Sequence, residues 1–292
     1  MTGRLEGKVA IITGAGTGIG EAVAHKFAKE GAAILAIGLP GDPVEDVARA
    51  LSADYGARVE SYIGDISAEA EAHAAVEQAV SAFGKLDILC NVAGVFLEVA
   101  ETQDFDIVRF DATLRNNVRS AFLMTRFALP HLRRSRGVIV NTGSEAGEMG
   151  EPNNTPYGGA KGFIHAFTRG VAYEQGKYGV RANCVCPGPI DTSWTHKETG
   201  PMTEQMEKQT IQGTVLGRRG TPEEMANVFC FLASDEASYV TGALWYADGG
   251  TSIAKGGPGE QAQDFVKQEP EGELDLRHSL DGERNKSFDA RL

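Results

Sequence analysis

The apolar run Val9-Ala10-Ile11-Ile12 leads without a break into Thr13-Gly14-Ala15-Gly16-Thr17-Gly18-Ile19-Gly20. The residues that follow place Ala22, Val23, Phe27 and Ala28 at helical spacing. An uninterrupted apolar run of this length is what a strand covered on both faces requires. Glycines between such a strand and a helix let the backbone come close to a ligand. The helix start adds unpaired N–H donors and the positive end of a dipole. In this strand–turn–helix setting the glycines indicate a cradle for the pyrophosphate of a dinucleotide.

The alternation continues along the chain. Strand-like runs recur at 8–13, 33–37, 59–64, 86–91, 137–142, 180–185 and 244–247. Helical patterns occupy 20–30, 44–55, 67–83 (with Ser67 as its N-cap), 105–135 as one or two helices, 157–177 and 222–234. Apolar strands separated by helices predict an α/β fold: a doubly wound, mostly parallel seven-stranded sheet with helices on both faces and its ligand site at the carboxyl ends of the strands. Two segments break the pattern. The polar stretch 192–215 contains Trp194, His196, Met202 and Met206, and a long insertion at this point reads as a substrate lid. From Thr251 onward the chain carries nine acids and six Lys or Arg with few large apolar residues. Residues 254–292 are therefore read as a polar C-terminal extension. It is expected to wrap either a neighbouring subunit, bordering that subunit's active site, or its own.

Twenty-eight basic against 40 acidic residues leave a net charge of −12. That balance disfavours a nucleic-acid footprint or an anionic membrane surface, and it keeps a protein soluble. No apolar run approaches a membrane span, and the polar start is no signal peptide, so a soluble cytoplasmic protein is expected. Of the four cysteines, Cys90, Cys184, Cys186 and Cys230, the middle pair are two apart and face one side of a strand. A zinc pair would want wider spacing and a second pair or histidines nearby. Buried free thiols in a reducing compartment are the expectation, with no metal.

The chemistry is concentrated later. Tyr157 and Lys161 are four apart, one turn along a helix face, and Ser144 precedes the tyrosine by thirteen residues. A phenol with a pKa near 10 is a poor base at neutrality, but an adjacent ammonium favours its phenolate. Tyr157 could then take a proton from an alcohol, or return one to a carbonyl, as a hydride moves. Ser144 would hydrogen-bond the substrate oxygen.

The spacing Thr-Gly-x-x-x-Gly-x-Gly resembles that of the short-chain dehydrogenase/reductase family. The resemblance continues through Asp65-Ile66, Asn91-Val92-Ala93-Gly94, Asn117, Ser144, Tyr157 with Lys161, Pro187-Gly188, Val240-Thr241-Gly242 and Asp248-Gly249-Gly250, covering about residues 5–253. It implies a Rossmann fold with residues 1–253 as one catalytic domain, a nicotinamide cofactor, and a catalytic tetrad of Asn117, Ser144, Tyr157 and Lys161. By the same resemblance Gly14, Thr17, Gly18, Ile19 and Gly20 cradle the phosphates. Asp65 and Ile66 meet the adenine, and Asn91, Ala93 and Gly94 line the adenosine side. Pro187, Gly188, Ile190 and Thr192 hold the nicotinamide end, and Lys161 and Tyr157 contact its ribose. Asn117 holds a water linking Lys161 to solvent; it is chosen over Asn116 by alignment with Val118. Relatives are usually tetramers, which implies a homotetramer. The enoyl reductases of the superfamily use a wider Tyr–Lys interval, so carbon–carbon double-bond reduction is disfavoured.

The resemblance leaves the cofactor's ribose open. Where NAD enzymes carry an acid at the end of the second strand, this chain has Gly38, then Leu39 and Pro40. No Arg or Lys at Thr17 or Leu39 meets a 2′-phosphate, and Asp42, Glu45 and Asp46 follow. NAD is expected over NADP, with Asp42 as a displaced ribose acceptor. The substrate wall is expected from Val95, Phe96, Glu145, Met149, Pro189 and the lid. It suits a sugar, polyol or amine-bearing alcohol if Glu145, Glu148 and Glu151 face it, and a plain hydrophobic alcohol or ketone if they do not. The reading from a different class is a non-catalytic nucleotide sensor on the same fold.

Overall fold

The computed structural model describes residues 3–192 and 203–263. Seven strands form one sheet: β1 (Val9–Thr13), β2 (Ala33–Gly38), β3 (Val59–Ile63), β4 (Ile88–Asn91), β5 (Val138–Thr142), β6 (Arg181–Pro187) and β7 (Leu244–Ala247). Their order is 3-2-1-4-5-6-7, and every pair is parallel. Going outward from β1 in one direction and from β4 in the other reverses the winding, which opens a crevice at their carboxyl ends.

The period of two along a strand divides the core. Ala10 and Ile12 of β1 face one layer, built on α1 (Gly18–Lys29), α2 (Val44–Tyr55) and α8 (Pro222–Ala233). Val9 and Ile11 face the other, built on α3 (Glu69–Phe83) and α5 (Ser120–Ser135). All five β1 residues are buried, as the apolar run requires.

Three local details differ from the sequence expectation, and the 105–135 segment resolves into the two helices it allowed. The first helix begins at Gly18, inside the glycine turn. Ser67 does not cap α3: the N-cap is Ala68, and the Ser67 amide instead donates to Asp65 Oδ1 at 2.9 Å, closing an Asx turn. The 105–135 segment is α4 (Ile107–Leu114) running into α5 through one π-helical turn, Arg115–Arg119. The polar stretch assigned to a lid contains helix α7 (Glu204–Gly213); Trp194, His196 and Met202 lie outside the described residues. Only the start of the extension is described: a short helical turn, Pro258–Gln261, rests on α7, with Gly259 against the carbonyl of Ile211. The expected arm from residue 264 onward lies outside the described residues.

Candidate active site

A cavity of about 540 Å³ opens at the carboxyl ends of the strands. One half is backbone. Gly14 adopts φ +66°, and a Cβ there would come within 3.0 Å of Ala93. Gly20 abuts the Gly14 carbonyl, where a Cβ would sit at 2.0 Å, so only glycine lets the start of α1 close onto the turn. The result is a concave surface of backbone at a helix N-terminus, which fits a pyrophosphate. Thr17, Gly18, Ile19, Gly38, Asp65, Ile66, Ala93, Gly94, Pro187, Gly188, Ile190 and Thr192 line the same cavity.

One predicted cofactor residue does not. The Asn91 side chain turns into the protein, donating to Asn141 Oδ1 at 2.8 Å and to Thr125 at 3.2 Å, and joins β4 to β5 below the cavity floor. Asp42 does reach the site. Its carboxylate accepts from the Leu39 amide, and a Cβ on Gly38 or Gly16 would lie 3.0 or 3.1 Å from Asp42 Cβ. The two glycines thus make room for an acid beside the end of β2.

The tetrad residues converge at the other half. Ser144 follows β5 and caps a short helical turn, accepting from the Ala146 amide at 3.2 Å. Its hydroxyl donates to Glu145 Oε2 at 3.4 Å and, near the Tyr157 phenol, favours the phenolate. Tyr157 and Lys161 share a face of α6 (Thr155–Gln175), and the Phe96 ring meets Tyr157 edge-on at 5.4 Å. Lys161 is buried and donates to the Thr142 carbonyl at 3.0 Å. Asn117 sits in the π-helical turn and brackets Val95, accepting from its amide at 3.2 Å and donating to its carbonyl at 2.9 Å. A Cβ on Gly94 would stand 2.7 Å from Asn117 Oδ1 and 3.4 Å from Lys161 Nζ, so this glycine lets both polar groups approach one point. The neighbouring Asn116 is spent on the Ala112 carbonyl.

The electrostatics depart from the simple Tyr–Lys expectation. Burial lowers the Lys161 ammonium to about 8. Burial raises the Tyr157 phenol, and the carboxyls of Glu145 and Glu151 raise it further. Glu145 is itself raised to about 8, first by burial and then by Glu151. Glu145 and Glu151 line the cavity, while Glu148 is held outside it by the Tyr246 hydroxyl and Met149 is outside too. Sequence reasoning missed the contribution of Asn154 to the wall, whereas Thr210 falls within the stretch 192–215 expected to form part of it. Thr210 sits on α7, and no helical apolar face announced that helix.

The family follows from comparison with known proteins. A family profile described as enoyl-(acyl carrier protein) reductase matches residues 14–252. The 3-oxoacyl-(acyl-carrier-protein) reductase FabG of Thermotoga maritima is 36% identical over 86% of this chain and 100% of its own. The meso-2,3-butanediol dehydrogenase of Serratia marcescens is 35% identical over 87% of this chain and 98% of its own. Among solved structures, levodione reductase superposes with a TM-score of 0.82 at 33% identity, covering 86% of this chain and all of its own. The chain belongs to the short-chain dehydrogenase/reductase family, a family of nicotinamide-dependent oxidoreductases.

Proposed function

We propose that this protein is an NAD-dependent alcohol dehydrogenase or ketoreductase, interconverting a small secondary alcohol and its ketone within a catalytic unit spanning residues 1–253. The observation that carries this reading is the convergence of Ser144, Tyr157, Lys161 and Asn117 on the cavity that also holds the glycine cradle. The bound nicotinamide supplies or accepts the hydride. Tyr157 exchanges the proton at its hydroxyl oxygen with the substrate oxygen, and Ser144 holds that oxygen through a hydrogen bond. Lys161, anchored on Thr142, supplies the positive charge that offsets the buried phenolate. Asn117 fixes the Val95 backbone and faces Lys161 across Gly94, the place for a water that relays the proton outward.

The Asp42 carboxylate beside Gly38 supports NAD: it would accept from a ribose 2′-hydroxyl and repel a 2′-phosphate. Glu145 and Glu151 support a hydroxyl-rich or amine-bearing substrate over a carboxylate. Phe122 on α5 and Phe163 on α6 are 43% and 40% exposed, and both lie against Phe167. That apolar patch supports burial against further copies of the chain in a homotetramer. The test of the proposed reaction is absorbance of the reduced nicotinamide with a panel of diols, sugars, amino alcohols and their ketones. No turnover of any member by either cofactor would favour the sensor reading.

A further inference from the structure

Behind the wall that carries Ser144 lies a second cluster of chemical groups that the reaction does not use. His165 projects from α6 one turn beyond Lys161, and Cys184 and Cys186 project from the same face of β6. All three are buried, and none lines the cofactor cavity. Cys186 Sγ is 3.3 Å from His165 Nε2 and 3.8 Å from Cys184 Sγ. The three ligand atoms lie within 4.8 Å of one another.

We infer that His165, Cys184 and Cys186 form a zinc site that ties α6 to β6. A tetrahedral zinc ion, with bonds of ~2.3 Å to sulfur and ~2.0 Å to nitrogen, spaces two thiolates about 3.8 Å apart and a thiolate and imidazole about 3.5 Å apart. The two distances from Cys186 are close to these values, and the third pair, Cys184 and His165, lies within 4.8 Å. The donor set is the soft sulfur and imidazole combination that zinc prefers, and two thiolates with one dication carry no net charge into the core. The protein clears space for the cluster at two glycines. A Cβ on Gly143 would lie 2.5 Å from His165 Nε2 and 2.8 Å from Cys184 Sγ, and one on Gly147 would lie 2.7 Å from His165 Cε1.

Three protein ligands leave one tetrahedral position for a water or other small donor. The ion sits outside the reacting cavity, so its role is positional. It joins the helix that carries Tyr157 and Lys161 to the strand that ends in Pro187. Binding releases the thiol protons as the sulfurs become thiolates, so zinc uptake acidifies a weakly buffered solution.

The test is metal content of the full-length protein, expressed without added metal, then incubated with equimolar zinc and desalted. Wild type is expected to retain about one zinc per chain, and Cys186→Ser at least about tenfold less. Cys230→Ser, a buried thiol elsewhere, retains the wild-type amount. Cobalt(II) added to the metal-free wild type gives thiolate-to-metal charge-transfer absorption, a readout that stands even if Cys186→Ser does not fold. Zinc at the level of the buffer blank in wild type, full retention by a folded Cys186→Ser, or cobalt without charge-transfer absorption overturns the site and leaves three hydrogen-bonded side chains.

Discussion

Lys161 Nζ stands over the Tyr157 ring, 5.4 Å from its centroid, and is tied to the Thr142 carbonyl, not to the phenolic oxygen. The cation is thus held by β5 and not by the phenol it accompanies. Burial raises the Tyr157 phenol above its ordinary range, Glu145 and Glu151 raise it further, and the opposing pull comes from the Ser144 hydroxyl.

Glu145 binds its proton more tightly folded than unfolded: its carboxyl moves from 4.5 to about 8. Between those values the folded chain holds a proton that the unfolded chain has lost, so this group's contribution to stability falls as pH rises through that window. Glu145→Gln removes the titration. The variant is expected to melt within a degree or two of wild type at pH 5, and roughly 3–8 °C higher at pH 9. Removing the carboxylate also lowers the Tyr157 phenol, so the alkaline rise in alcohol oxidation moves toward neutral pH. Melting curves and rate profiles across pH check both, and an unchanged difference in melting between pH 5 and 9 contradicts the account.

Asp42 is the residue on which the cofactor assignment turns. Wild type is expected to bind NADH at least about tenfold more tightly than NADPH, since a buried or half-buried like-charge encounter costs on the order of 1–2 kcal/mol. Asp42→Asn keeps an acceptor for the Leu39 amide while removing the charge, and should erase most of that preference. Fluorescence titration with both reduced cofactors measures it. Tighter NADPH binding by wild type contradicts the assignment.

Helix α7 is held from two sides. Arg219, only 3% exposed, lies 3.3 Å from Glu207 on α7 and 3.5 Å from Asp191 near the end of β6, and the Pro258–Gln261 turn covers the far end of the same helix. Deleting residues 256–292 removes that cover. Substrate KM is expected to rise about two- to tenfold with kcat within about twofold, because looser closure weakens substrate binding before chemistry. Solution mass of the same variant shows whether the extension also joins subunits. An unchanged KM together with an unchanged mass contradicts any role for the extension.

Much of the fold was legible because its signals are local. A buried strand entering a glycine turn, and a tyrosine one turn from a lysine, are written within a few consecutive residues, and each landed where the pattern placed it. The unread features depend on distant partners. Asn91 fits a cofactor motif by its neighbours, yet Asn141 and Thr125 draw its amide inward. Helix α7 has a polar composition and owes its place to Arg219 and the covering turn. Cys184 and Cys186 looked like isolated thiols because the histidine that meets them is nineteen or more residues earlier, on the facing helix. The acids after Ser144 were visible, but which of them turns toward the cavity is decided by Tyr246, which takes Glu148 away.

The central claim is that the Tyr157 hydroxyl carries the proton of the reaction while contributing little to holding the nucleotide. Its most direct test is Tyr157→Phe, assayed for turnover on any substrate found active and for NADH binding by fluorescence. A fall in kcat of at least ~10²–10⁴-fold, with the dissociation constant for NADH within about threefold of wild type, is the predicted result. A variant that keeps near-normal kcat contradicts the account.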